Sequence, residues 1–176
     1  MNKFTTSLIL IGMPGAGKST IGLLLAKSLA KDFVDTDLLI QLREGKTLQD
    51  IVDNHGYLHL RSIEEDVLRQ AHYPNHIIAT GGSAVYSAAA MEHLGHFGQT
   101  VFLDVPLSEL HRRIRDFDTR GLARQPGQSL EELFHERRTL YEKYADIHIN
   151  CYAKTPEQII DEIIYQEGES FAERDA

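Results

Sequence analysis

The stretch Gly12-Met13-Pro14-Gly15-Ala16-Gly17-Lys18-Ser19-Thr20 carries the densest chemistry in the chain. It fits G-x-x-x-x-G-K-[ST], a backbone cradle for nucleotide phosphates. Glycines at 12, 15 and 17 allow a sharp turn that aims successive N–H groups inward at phosphate oxygens. Lys18 sets a point charge at the β and γ phosphates, and the Ser19 hydroxyl suits Mg²⁺. The candidate nucleotide contacts are therefore Gly12, Gly15, Ala16, Gly17, Lys18, Ser19 and Thr20. A second group of oxygens follows at Asp35-Thr36-Asp37. Two carboxylates one residue apart can meet Mg²⁺ through water and accept a proton from an acceptor hydroxyl. The plainer alternative for Asp37 is an N-cap of a helix starting at Leu38. Gly81-Gly82 reads as strained backbone, as backbone in close contact with a ligand, or as an ordinary turn.

These residues need a scaffold, and the apolar pattern supplies one. Ser7 to Ile11 is a short buried-strand run before the loop, and Ile21 to Ala30 has helical spacing after it. Further strands are expected at Phe33-Val34, His76–Thr80, Thr100–Val105 and Asp146–Asn150, alternating with amphipathic helices such as Tyr57–His72. Pro156 opens the last helix as a first-turn proline should, and the acidic tail from Gly168 is expected to fray. Alternation of this kind predicts an α/β fold with a parallel sheet, whose ligands gather at the carboxyl ends of the strands. Residues 116–128 resist the alternation. They are polar, include Arg120 and Arg124 with Gly121, Pro126 and Gly127, and suit a mobile lid over phosphates; a solvated loop is the plainer alternative.

Composition narrows the function classes. The chain has 176 residues, the size of one ordinary domain, so 1–176 is read as a single unit. With 18 Lys+Arg against 26 Asp+Glu the net charge is −8, which opposes nonspecific binding to nucleic acid or anionic membranes. A single cysteine, Cys151, excludes an intramolecular disulfide and suits a reducing compartment. Met1 to Thr6 is too short and polar for a leader, and no run approaches a membrane span. A cytoplasmic monomer is expected. His55 and His59 stand four apart without a third ligand at metal spacing.

Four ordered features make the resemblance specific. They are the phosphate loop, Asp35-x-Asp37, Arg61-x-x-Glu64, and Arg137 to Tyr141 followed by Ala145-Asp146. Together the chain resembles the shikimate kinase family of the nucleoside-monophosphate-kinase-like P-loop group, from residue 8 to about 165. That resemblance implies a three-layer P-loop fold, a five-stranded parallel sheet of order 2-3-1-4-5 flanked by helices, a lid at about 116–128 and an acceptor-binding helical region at about 37–72. It implies transfer of the γ-phosphoryl group of ATP, with Mg²⁺, to a hydroxyl of shikimate. By matched position Lys18 and Ser19 serve the nucleotide and its magnesium, with Asp35 in the outer magnesium shell. Asp37 holds the acceptor hydroxyls and is the candidate base. Arg61 and Arg137 clamp the acceptor carboxylate, and Gly81-Gly82 line its ring. Arg120 is the lid arginine, and Arg113 stacks near adenine. Two guanidinium groups on one planar carboxylate give directional recognition that lysine lacks, and Arg61 and Glu64, three apart on a helix, are placed to orient each other. For Arg138 a solvated helix face is the expectation.

Three positions depart from the family pattern, and all bear on the acceptor side. Ser83 replaces a third glycine, Arg120-Gly121-Leu122-Ala123 replaces Arg-Pro-Leu-Leu, and Thr139 replaces a proline. The rivals are a kinase of the same fold acting on homoserine or gluconate, and a nucleotide-binding switch without transfer activity. No Asn-Lys-x-Asp guanine-reading motif supports the switch.

Overall fold

The structure is a computed structural model and describes residues 6–174; the reading of Met1 to Thr6 falls almost wholly outside that range. Its centre is β1 (Ser7–Ile11), buried along its whole length. A run of Leu-Ile-Leu-Ile with no polar alternation can rest only where both faces of a sheet are covered. It pairs in parallel with β3 (His76–Ala79) on one side and β4 (Gly98–Asp104) on the other. The edges are β2 (Asp32–Asp35) and β5 (Ile147–Asn150), giving the order β2-β3-β1-β4-β5. Every pairing is parallel, so the resemblance predicted the topology correctly. The flanking helices form two contacting sets. One joins α1 (Lys18–Leu29) to α8 (Pro156–Arg174); the other joins α4 (Tyr57–Gln70) to α5 (Ala88–Gly95), with α7 (Leu130–Tyr144) reaching them through the short turn Ala84–Tyr86.

Element ends moved for identifiable reasons. β4 starts two residues earlier than expected because Gly98 pairs with Ser7, where a Cβ would come within 1.8 Å of the Ser7 carbonyl oxygen. The helix after β2 begins at Thr36 rather than Leu38, and its N-cap is Asp35, not Asp37. Asp35 Oδ1 accepts from the backbone N–H of Asp37 at 3.0 Å and of Leu38 at 3.4 Å. The charged middle divides into α2 (Thr36–Glu44), α3 (Leu48–His55) and α4, broken at Gly45 and Gly56, both at positive φ. Thr47 and Asp50 form a reciprocal capping box at the start of α3. Gly168 does not end the last helix. α8 continues to Arg174, seated by buried Ile159, Ile160 and Ile163 and bridged by a Tyr165 to Glu169 hydrogen bond of 2.6 Å.

Two apolar clusters result. The larger encloses the sheet, and a small one of Ile40, Ile51, Leu60 and Ile63 binds α2, α3 and α4 together. Ala123 drops into that small cluster from the segment between α6 (Leu107–Arg113) and α7, which contains no helix or strand. Ala123 thus ties this segment to the small cluster, while Ile114 and Phe117 of the same segment pack against the large one.

Candidate functional site

The phosphate loop lies between β1 and α1. Gly12, Gly15 and Gly17 all take positive φ, and at Gly12 a Cβ would sit 2.8 Å from the Leu103 carbonyl oxygen. Gly17 caps α1 with no side-chain acceptor, which leaves first-turn N–H groups and the positive helix end for an anion. Ala16 is buried within the loop, its N–H donating to the Met13 carbonyl at 3.0 Å. Lys18 is also buried, with Nζ donating to the carbonyls of Gly12 at 2.7 Å and Met13 at 3.0 Å. Burial pulls its pKa down to about 8, against the attraction of Asp37. Its ammonium makes no ion pair among the described residues and donates only to these carbonyls, so an arriving phosphate would supply an anionic partner. Ser19 Oγ donates to Asp35 Oδ2. That pair joins a hydroxyl to a carboxylate beside the loop, the hard oxygen donors that Mg²⁺ prefers.

A cleft of about 340 Å³ runs from this loop to a buried charged end. Lys18, Ser19, Thr20, Arg113 and Arg120 border the loop end; Asp37, Glu64, Gly81, Gly82 and Arg137 border the other. Arg113 donates to the Gly15 carbonyl at 3.5 Å, and Arg120 pairs with Asp116 at 3.5 Å. Most of the residues singled out in the sequence thus meet around one space; Gly12, Ala16, Asp35 and Arg61 do not line it.

At the buried end Gly81 and Gly82 have no positive φ, so the strained-backbone reading is set aside in favour of close approach. A Cβ on Gly81 would lie 2.2 Å from Glu64 Oε1 and 2.7 Å from Asp37 Oδ1. One on Gly82 would lie 2.7 Å from Arg137 Nη1 and 2.9 Å from Pro14 Cδ. Two carboxylates and a guanidinium occupy the volume that side chains would fill. Burial, reinforced by Asp35 and opposed by Lys18, raises the pKa of Asp37. Burial and the charge of Asp37 push Glu64 up to about 7, despite the Ser83 hydrogen bond and the cations Arg137 and Lys18. Arg137 is 1% exposed; its Nη2 donates to the Ala123 carbonyl at 2.9 Å and its Nε to Tyr86 Oη at 3.4 Å. Tyr141 Oη donates to the Gly82 carbonyl at 2.7 Å, bracing the glycine pair from α7.

Arg61 is placed differently from its partner. It donates from Nε at 3.2 Å and Nη2 at 3.0 Å to the same Ala123 carbonyl, lies 3.5 Å over the Tyr86 ring, and borders a neighbouring groove rather than the cleft. The mutual orientation expected of Arg61 and Glu64 does not occur, because Glu64 Oε2 accepts instead from Ser83 Oγ. Arg138 is not a merely solvated residue. It chelates Asp104 at 2.6 and 2.8 Å at the end of β4. Glu64, Ser83, Tyr86 and Ala123 are the site components whose contacts sequence reasoning missed; their partners lie 14 to 62 residues away, beyond any local pattern.

Comparison with known proteins places this geometry. The family model for shikimate kinase matches residues 14–166. A shikimate kinase from Nostoc sp. is 40% identical over 162 residues, covering 90% of this chain and 88% of the relative. Among solved structures, shikimate kinase from Acinetobacter baumannii in complex with shikimate superposes with a TM-score of 0.86 at 27% identity, covering 96% of each chain. Shikimate kinase from Aquifex aeolicus superposes with a TM-score of 0.78 at 35% identity, covering 94% of this chain and 98% of that one.

Proposed function

The chain belongs to the shikimate kinase family, and from that premise we propose how its own residues divide the work. It is an ATP-dependent phosphotransferase that moves the γ-phosphoryl group of ATP to a hydroxyl of shikimate, a step of aromatic amino-acid biosynthesis. The observation that carries the assignment of roles is the single cleft joining the phosphate loop to Asp37, Glu64 and Arg137.

At the loop end, backbone N–H groups, the α1 N-terminus and Lys18 hold the triphosphate, with Arg113 and Arg120 on the side nearer solvent. Ser19 and Asp35 fit a magnesium ion by their donor chemistry. When bound, Mg²⁺ supplies charge neutralisation at the phosphates. At the buried end, Asp37 receives the acceptor hydroxyl. Its raised pKa brings its proton affinity closer to what a base acting near neutral pH needs. Arg137 reads the acceptor carboxylate at the cleft wall, with Arg61 behind it. Both now donate to the Ala123 carbonyl, so an arriving carboxylate shares or replaces that oxygen. Acceptor binding is thereby coupled to the 116–128 segment, which acts as a lid and brings Arg120 to the phosphates. Residues 37–72 form the acceptor-binding region of a single domain, 1–176. The excess of 26 Asp+Glu over 18 Lys+Arg supports a protein that binds neither nucleic acid nor an anionic membrane surface, and the single cysteine supports a reducing, cytoplasmic setting.

The rival acceptors homoserine and gluconate are tested by ADP release in a coupled assay. Turnover with shikimate and none with either rival is expected. Brisk use of homoserine or gluconate without shikimate would keep a kinase and reject this acceptor. ATP binding without transfer to any hydroxy acid would favour the switch.

A further inference from the structure

The residue after the glycine pair has a side chain, and that side chain has one destination. Ser83 is 8% exposed, and its hydroxyl donates to Glu64 Oε2. Glu64 is itself 3% exposed, and its other oxygen, Oε1, is buried with no hydrogen-bond partner among the described residues. Oε1 rests against Gly81 beside Asp37 Oδ1, at the wall of the cleft. A buried acceptor oxygen without a donor is costly, and Glu64 Oε1, lying beside a second carboxylate oxygen at the cleft wall, invites a donor from the cleft. A hydroxyl of a small polyhydroxy acid is such a donor.

We propose that Ser83 is a positioning residue for the acceptor: its hydroxyl anchors Glu64 Oε2 and so aims Oε1 into the cleft beside Asp37, where an acceptor hydroxyl binds. This rests on the reading of that end of the cleft as the acceptor site. The charged groups facing Glu64 are Asp37 on α2, Lys18 at the start of α1 and Arg137 on α7. None of them donates a hydrogen bond to it, so the direction in which the carboxylate points is left to Ser83. A glycine at this position would leave both Glu64 oxygens unpartnered. Because Glu64 is held near 7, the loss of one donor also shifts it toward its neutral form at neutral pH, where it no longer serves as a pure acceptor.

The test has two arms, applied to Ser83→Ala, Ser83→Thr and Ser83→Cys. In protein labelled with ¹³C at the glutamate side-chain carboxyl, the Glu64 signal is identified by its loss in Glu64→Gln and titrated against pH without substrate. The midpoint should rise in Ser83→Ala and Ser83→Cys and stay at the parent value in Ser83→Thr, which keeps the hydroxyl. Ser83→Cys has nearly the parent shape, so it serves if the alanine variant fails to fold. In steady state at pH 7, the KM for shikimate should rise roughly tenfold in the variants lacking the hydroxyl, while the KM for ATP stays unchanged. Parent-like midpoints and parent-like shikimate KM in Ser83→Cys would overturn the proposal. So would equal increases in both KM values, which would mark a general loosening. If the parent itself does not phosphorylate shikimate, the assigned acceptor falls, while the titration still decides whether Ser83 holds Glu64.

Discussion

Replacing Gly81 with alanine should damage one end of the cleft and spare the other. The new methyl carbon would lie 2.2 Å from Glu64 Oε1 and 2.7 Å from Asp37 Oδ1, whereas real contacts of this kind do not fall below 3.0 Å. Both obstacles are side-chain ends, but Glu64 is fully enclosed and tied to Ser83, so it moves only by giving up that bond. Overpacking of a filled site costs about 1–3 kcal/mol. For a domain of this size that lowers Tm by roughly 2–12 °C. The KM for shikimate should rise roughly tenfold or more as both carboxylates are displaced, with the KM for ATP nearly unchanged because the methyl touches no part of the phosphate loop. Shortening the obstacle in Gly81→Ala with Glu64→Asp should recover part of the lost Tm. Thermal melts and initial-rate kinetics on the two variants decide the matter. A Gly81→Ala protein with the parent Tm and the parent KM for shikimate would refute the close packing on which this reasoning stands.

Three other outcomes follow from the same geometry. Lys18→Ala should lower turnover at least about a hundredfold, since it removes charge at the transferring phosphoryl group; parent-rate turnover by the purified variant would contradict the role given to the loop. Glu64, held near 7 when folded against 4.5 as its ordinary value, binds more protons in the folded chain. It therefore contributes stability that is present below about pH 4.5 and lost as pH rises through 7. Glu64→Gln removes that loss, so urea denaturation should show the variant gaining on the parent between pH 5 and pH 8, by up to about 3 kcal/mol; a difference that is flat with pH would place Glu64 in a wetter site. Amide hydrogen exchange across 116–128 should slow when nucleotide and shikimate are both bound, because the segment is held mainly by Ala123, Gly121 and the two arginines; equal protection with and without ligands would count against a lid.

Much of this was legible in the sequence because it is local. The phosphate loop sits within nine residues, and the run that becomes β1 is apolar throughout. The ordered motifs that resemble one family carried the sheet order, which no periodicity could give. What stayed hidden depends on side chains meeting across long stretches of chain. Asp35 was expected at the outer edge of the metal site, and nothing in its neighbours showed that it would also cap α2. Arg61 and Glu64 have the spacing of a helical pair, yet each finds a better partner elsewhere, Arg61 at Ala123 and Glu64 at Ser83. The departures from the family pattern could be named but not interpreted until Ser83 was seen to donate to Glu64. Gly121 likewise had no reading until it was found at positive φ, its N–H donating to Gln49 Oε1 at 2.6 Å. A proline there would have no N–H to give.

The central claim is that this cleft selects a carboxylate-bearing acceptor and phosphorylates its hydroxyl. It is tested most directly by comparing shikimate with its neutral carboxamide in the ADP-release assay, on the parent and on Arg137→Met, which removes the guanidinium at the cleft wall. Charge-assisted hydrogen bonds contribute about 1.5–3 kcal/mol each, so the parent should use the acid roughly ten- to a hundredfold better than the amide. That preference should shrink sharply once the Arg137 guanidinium is removed. Equal turnover of acid and amide by the parent, or a preference that survives Arg137→Met undiminished, would contradict it.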